Sequence, residues 1–169
     1  MGVSFKTLIK HFTKDFHNQS VNPPVVRAST LIFKSIEDIR KTQNKSKKNP
    51  ISGHFSYGRE GTSTTFALQK ILRQMEESYQ VFLTPTGFGS VFLSIFSIVR
   101  PGDEILLSDS IYSPTRLLTE NFLKEYKIQA VFYNPNNIID LKNKITKKTK
   151  LIFVENPGSN TFEFQDLSK

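Results

Sequence analysis

Cysteine and tryptophan are both missing from the 169 residues. Without cysteine the chain has no disulfide, no thiol nucleophile and no thiolate metal ligand. Only three histidines occur, His11, His17 and His54, scattered rather than grouped, so a structural zinc site is not expected. Long hydrophobic runs are also lacking. The longest, around residues 91–99, is broken by Ser94 and Ser97 and falls short of the roughly 18 apolar residues of a membrane span. It reads as a buried helix, and no membrane partner is expected. The first 19 residues are basic but carry no apolar core of a secretory signal, so a surface arm is expected there.

The net charge of +8 raises the question of nucleic acid. Many lysines fall in local runs at 41–48 and 142–150, and neither run alternates with the aromatics that a single-strand platform uses. Solvated surface is the better account, and no nucleic-acid partner is expected. Apolar residues, at 37% and including 15 Phe, suffice for the core of one domain.

Residues 1–56 lack steady periodicity and read as an extended arm, with one short helix near 35–42 that Ser35 could cap. The polar stretch 41–53 reads as an exposed loop. From Thr62 the pattern changes, and residues 57–169 read as a separate α/β region. Leu68, Ile71, Leu72 and Met75 keep helical spacing behind Thr62 or Ser63 as cap. Strands are expected at about 80–83, 104–107, 128–133 and 151–154. Helices are expected at about 87–99, from Pro114 to 126, and at 136–145. Strands alternating with helices imply a mostly parallel sheet flanked by helices.

In such sheets ligands gather at the C-terminal strand edges, where helix N-termini attract phosphates. The turn Thr84-Pro85-Thr86-Gly87-Phe88-Gly89-Ser90 occupies such a place. Its glycines let backbone come close to an anion, although taken alone a plain strand-to-helix turn is the better account. Tyr57 and Arg59, two positions apart, project to one side of an extended segment and pair a phenol with a guanidinium fork, suited to phosphate oxygens or to a surface loop. Tyr112, after a strand, could stack on a planar ligand or pack at a helix start. Glu155-Asn156-Pro157-Gly158-Ser159-Asn160-Thr161 brings polar side chains to the same edge. The convergence of these stretches suits a phosphorylated planar cofactor.

The stretch Tyr57-Gly-Arg-Glu-Gly-Thr-Ser-Thr resembles the Y-x-R-x-G-x-x-T motif of the transsulfuration enzymes that use pyridoxal phosphate. Val21-Asn-Pro-Pro-Val-Val-Arg-Ala-Ser-Thr and Glu155-Asn-Pro-Gly-Ser-Asn-Thr-Phe-Glu resemble the cystathionine β-lyases among them, where γ-acting relatives more often carry a T-N-P form. The resemblance runs in order from about Val21 to the end. It implies the first half of a fold type I large domain behind an N-terminal arm, with pyridoxal 5'-phosphate as cofactor. Gly87 and Phe88 would give backbone amides to the phosphate, Tyr112 would stack on the ring, and Ser159 would lie near the ring oxygen. Tyr57 and Arg59 would reach the phosphate of a neighbouring subunit, which implies a homo-oligomer in the cytoplasm. Phe88 departs from the small residue often seen at its position.

The resemblance implies a β-elimination that takes cystathionine to homocysteine, pyruvate and ammonia. The family's ring-pairing Asp, its Ser-x-Thr-Lys segment and its carboxylate-binding Arg have no counterpart here, and Lys169 lies in no such motif. The expectation is therefore a truncated member, inactive and poorly soluble alone, with no catalytic residue of its own. The rivals are half of a split enzyme completed by a C-terminal chain, a γ-acting relative, and a non-catalytic basic module.

Overall fold

The computed structural model describes residues 23–49 and 53–168. The expected surface arm at 1–19, with His11 and His17, and the start of the Val21 motif lie outside them. The chain divides into two compact units, the first ending at Leu83 and the second beginning at Thr84.

In the first unit, α1 spans Ile36–Lys48. It is longer than expected and absorbs most of the polar stretch read as a loop. Its ends explain why. Ser35 accepts from the Asp38 amide, Glu37 and Asp38 sit in the first turn, and Lys45, Lys47 and Lys48 sit in the last. These charges oppose the helix dipole at each end, and Lys41 pairs with Glu37 at 2.9 Å. Helix α2, Ser63–Met75, begins where expected. The Thr62 amide donates to Thr65 Oγ1 at 2.8 Å, and Phe66 stacks on Phe55 with centroids 5.4 Å apart. The strand expected at 80–83 does not form. Among the described residues the segment has no ladder partner, and Gln69 Nε2 donates to the Val81 carbonyl at 3.0 Å.

The second unit holds a three-stranded sheet in the order β2-β1-β3, formed by β1 (Glu104–Ser108), β2 (Gln129–Tyr133) and β3 (Thr149–Phe153). Both pairings are parallel, as the alternating pattern implied. β1 lies between the others and is buried along its whole length. Helix α3 is Gly87–Ile98, α4 is Ser113–Leu117, continuing as a π-helix through Leu118–Leu123, and α5 is Ile138–Lys144. Pro114 sits in the first turn of α4, where a missing N–H costs nothing.

The register explains the core. Ile105 pairs with Ala130 and Leu151, and Leu107 with Phe132 and Phe153, so these side chains share one face. Ile95 of α3, Val99 just after it, Leu118 and Leu123 of the π-helix, and Ile128 pack on that face. Burying each large side chain contributes about 1.5–3 kcal/mol. At the base, Glu104 is buried but not stranded, because its Oε1 accepts from Thr149 Oγ1 at 2.6 Å and Thr146 Oγ1 at 3.1 Å.

Candidate functional site

The start of α3 is organised by Thr86. Its hydroxyl accepts from the Gly89 amide at 2.9 Å, and its carbonyl accepts from the Ser90 amide at 3.2 Å. The amides of Gly87 and Phe88 are left with no acceptor among the described residues. Two adjacent N–H groups at the positive end of a twelve-residue helix are a ready anion cradle. A Cβ built on Gly87 would meet nothing within 4 Å, so the approach is open. Ser90 Oγ lies 2.5 Å from Thr84 Oγ1, and both residues flank the cradle. The Phe88 side chain is 42% exposed, so its bulk is not packed away from solvent.

A tight turn joins α3 to β1, and the Arg100 amide donates to Asp103 Oδ2 at 2.7 Å within it. β1 ends at Ser108, and the loop that follows it lies at the C-terminal edge of the sheet. The loops after β1 and β3 are stitched together at that edge. Ser159 donates its amide to the Ser110 carbonyl at 2.8 Å, and the Tyr112 amide donates to Glu155 Oε2 at 2.8 Å. Thus Tyr112 and Ser159, chosen from separate motifs, sit on two loops in direct contact. Tyr112 itself remains 46% exposed.

The segment after β3 folds back on itself. The Gly158 amide donates to the Glu163 carbonyl at 2.9 Å, and Asn160 and Phe162 adopt left-handed φ values of 63° and 57°. Left-handed backbone is strained for a bulky residue such as Phe162. Gln165 closes the loop, exchanging bonds with Asn156 at 3.0 and 3.2 Å and accepting from the Tyr133 hydroxyl at 2.8 Å. Burial pushes the Tyr133 phenol up from its ordinary value of 10.0, against the smaller opposing effect of Gln165.

Tyr57 and Arg59 belong to the first unit. Tyr57 is extended, with φ −148° and ψ 140°, but Arg59 is not, because Gly58–Glu60 forms a 3-10 turn. The turn brings the Arg59 guanidinium over the Tyr57 ring, 5.2 Å from its centroid. Glu60 holds the turn by accepting from the Ser56 amide at 2.9 Å, and that bond chiefly keeps its carboxyl below the usual range. The arm does the rest. Thr30 bridges to Tyr57, Ser29 accepts the Gly58 amide at 2.6 Å, and Ser29 Oγ donates to the Tyr57 hydroxyl at 2.9 Å.

Some of these contributors are invisible as motifs. Thr86 could have been found as a cap residue before a glycine, a local signal. Ser29 and Gln165 act across the fold, and nothing in their local sequence marks them.

Residues 6–169 match the family of Cys/Met metabolism PLP-dependent enzymes. Cystathionine β-lyase of Haemophilus influenzae is 40% identical over 155 residues, which are 91% of this chain and 38% of that protein. The L-alanine/L-glutamate racemase of Wolbachia pipientis is 30% identical over 153 residues, 88% of this chain and 38% of that protein. Among solved structures, one from Campylobacter jejuni assigned as an O-acetylhomoserine (thiol)-lyase, with N'-pyridoxyl-lysine-5'-monophosphate, aligns with a TM-score of 0.80. It is 23% identical and covers 98% of this chain and 40% of its own, and it shows the expected α/β fold. The chain thus spans under half the length of the proteins it matches.

Proposed function

The chain belongs to the Cys/Met metabolism PLP-dependent enzyme family, and we propose that it supplies the phosphate and ring contacts of the cofactor site in a carbon–sulfur lyase of the cystathionine β-lyase class. The observation that carries this reading is the pair of amides at Gly87 and Phe88, uncommitted among the described residues at the start of α3.

The residues present fit the cofactor. The Gly87 and Phe88 amides, with the helix dipole behind them, bind the phosphate. Tyr112 offers its ring face to the pyridine, and Ser159, fixed through Ser110, offers a hydroxyl at the same edge. Tyr57 and Arg59 present a phenol and a guanidinium fork to phosphate oxygens, and serve a second copy of the chain. When bound, pyridoxal phosphate supplies the electron sink that acidifies a substrate Cα–H. In the whole reaction, cystathionine and water give homocysteine, pyruvate and ammonia. No Ser-x-Thr-Lys segment occurs in these residues, so the chain binds and orients while none of its lysines is assigned the proton transfer.

The test is a calorimetric titration with pyridoxamine 5'-phosphate and with pyridoxamine. Both lack the aldehyde that would condense with surface lysines. Saturable binding of the phosphorylated form, and much weaker binding of the other, is expected. Equal binding of the two, or none of either, defeats the reading.

A further inference from the structure

We infer that Glu155 is the positioning residue for Tyr112, fixing the pitch of the ring that faces the cofactor. This rests on the cofactor reading above. Tyr112 is the residue before α4, and its carbonyl accepts the amides of Thr115 at 2.9 Å and Arg116 at 3.2 Å. Those bonds fix only the helix side of the residue. Its amide, on the loop side, has a single partner among the described residues, Glu155 Oε2 at 2.8 Å, contributed 43 positions away just after β3. With both polar groups of its backbone held by separate elements, Tyr112 has a set Cα–Cβ direction while the residue stays half exposed.

The surroundings assign that task to Glu155 alone. Ile111, one position earlier, is buried in the core, and its amide donates to the Ser108 carbonyl at 3.1 Å. Arg116 Nη2 grips the Asp109 carbonyl at 2.8 Å and carboxylate at 2.6 Å while stacking over Phe132, so it closes the loop without touching the Tyr112 amide. Glu155 enters no ion pair among the described residues. Its charge is directed at one backbone N–H, and such charge-assisted bonds are stronger than neutral ones.

The experiment compares the chain with its Glu155→Ala and Glu155→Gln variants. Amide exchange is followed at Tyr112 and at Leu106 in the buried β1 strand, and circular dichroism is followed in the absorption band of bound pyridoxamine 5'-phosphate. Glu155→Ala should speed Tyr112 exchange by about tenfold, the loss expected for one bond to a charged acceptor. Leu106 should be unaffected, and the induced dichroism at saturation should weaken. Glu155→Gln, which keeps an oxygen in place, should fall between. A merely structural stitch would leave the dichroism of the saturated protein unchanged, and that result overturns the inference. If Glu155→Ala loosens Leu106 as well, Glu155→Gln decides, and wild-type values for both readouts in that variant overturn it. Failure of the wild-type chain to bind the probe defeats the cofactor reading, and Tyr112 exchange still judges the hold of Glu155 on the loop.

Discussion

Gly158 lies against Ser110 so closely that a Cβ on the glycine would fall 2.7 Å from both the serine Cβ and its hydroxyl. The contact explains how the segment after β3 can donate the Ser159 amide to the Ser110 carbonyl. A larger residue at 158 would wedge the two loops apart and carry Ser159 and Glu155 away from Tyr112. Gly158→Ala is therefore expected to destabilise the chain by about 1–3 kcal/mol, the usual cost of inserting a methyl into a packed contact. Urea unfolding measures it. Adding Ser110→Gly should recover most of the loss, and a double variant no better than Gly158→Ala would show that the contact is not the cause.

Gly58 is constrained still more tightly. Its Cβ would lie 1.8 Å from the Ala28 carbonyl oxygen, a backbone atom that cannot swing aside. Gly58→Ala must break the bond from its amide to the Ser29 carbonyl and release the arm from the Tyr57 turn. A loss of about 3 kcal/mol is expected, at the upper end of overpacking costs. Limited proteolysis should reveal new cleavage within residues 23–30, and an unchanged digestion pattern counts against this account.

These contacts show which parts of the fold could be read in the sequence. The three strands of the second unit and their parallel pairing follow from local periodicity and the alternation of element types, and each forms within two residues of its expected place. Of the polar stretch 41–53 read as a loop, residues 41–48 are helical: lysine and asparagine look like loop, whereas capping and charge placement at both helix ends decide the outcome. The apolar segment 80–83 has the composition of a strand, but a strand forms only where a partner ladder exists. At the site, the Tyr112 and Gly158-Ser159 motifs mark two loops that the structure brings into contact. What orients them was not legible, because Glu155 to Tyr112 and Ser29 to Tyr57 are long-range bonds with no local signature.

Asp140 gives a pH dependence with a definite sign. Lys144 Nζ at 2.8 Å is the first cause holding its carboxyl below the ordinary value of 3.8, and the Asn134 amide, also at 2.8 Å, adds to it. A carboxylate whose folded value is depressed contributes stability that is fully present above the unfolded value. That contribution disappears as pH falls through the folded value. Asp140→Asn should therefore lower the urea midpoint at pH 6 and converge with the parent chain only in acid, as the pH falls through the depressed folded value and the parent carboxyl is neutralised. A gap that persists unchanged into acid would place the effect in packing rather than in charge.

The amide of Gly87 can be removed almost without disturbing the fold. Gly87 is the first residue of α3, where proline is well tolerated because that N–H has no helical acceptor. The preceding Thr86 sits at φ −145° and ψ 152°, the extended region that a following proline requires. Space around a side chain at this position is open. Gly87→Pro should thus leave stability within about 0.5 kcal/mol of the parent, as for surface changes that lose no contact. It nevertheless deletes one of the paired donors to the phosphate, and binding of pyridoxamine 5'-phosphate should weaken by about tenfold, the scale of one hydrogen bond to a charged group. Gly87→Ala supplies the control, since it adds a methyl and keeps the N–H. Equal affinity in the proline and alanine variants would mean that the phosphate is held elsewhere, whereas a selective loss in the proline variant ties it to this backbone atom.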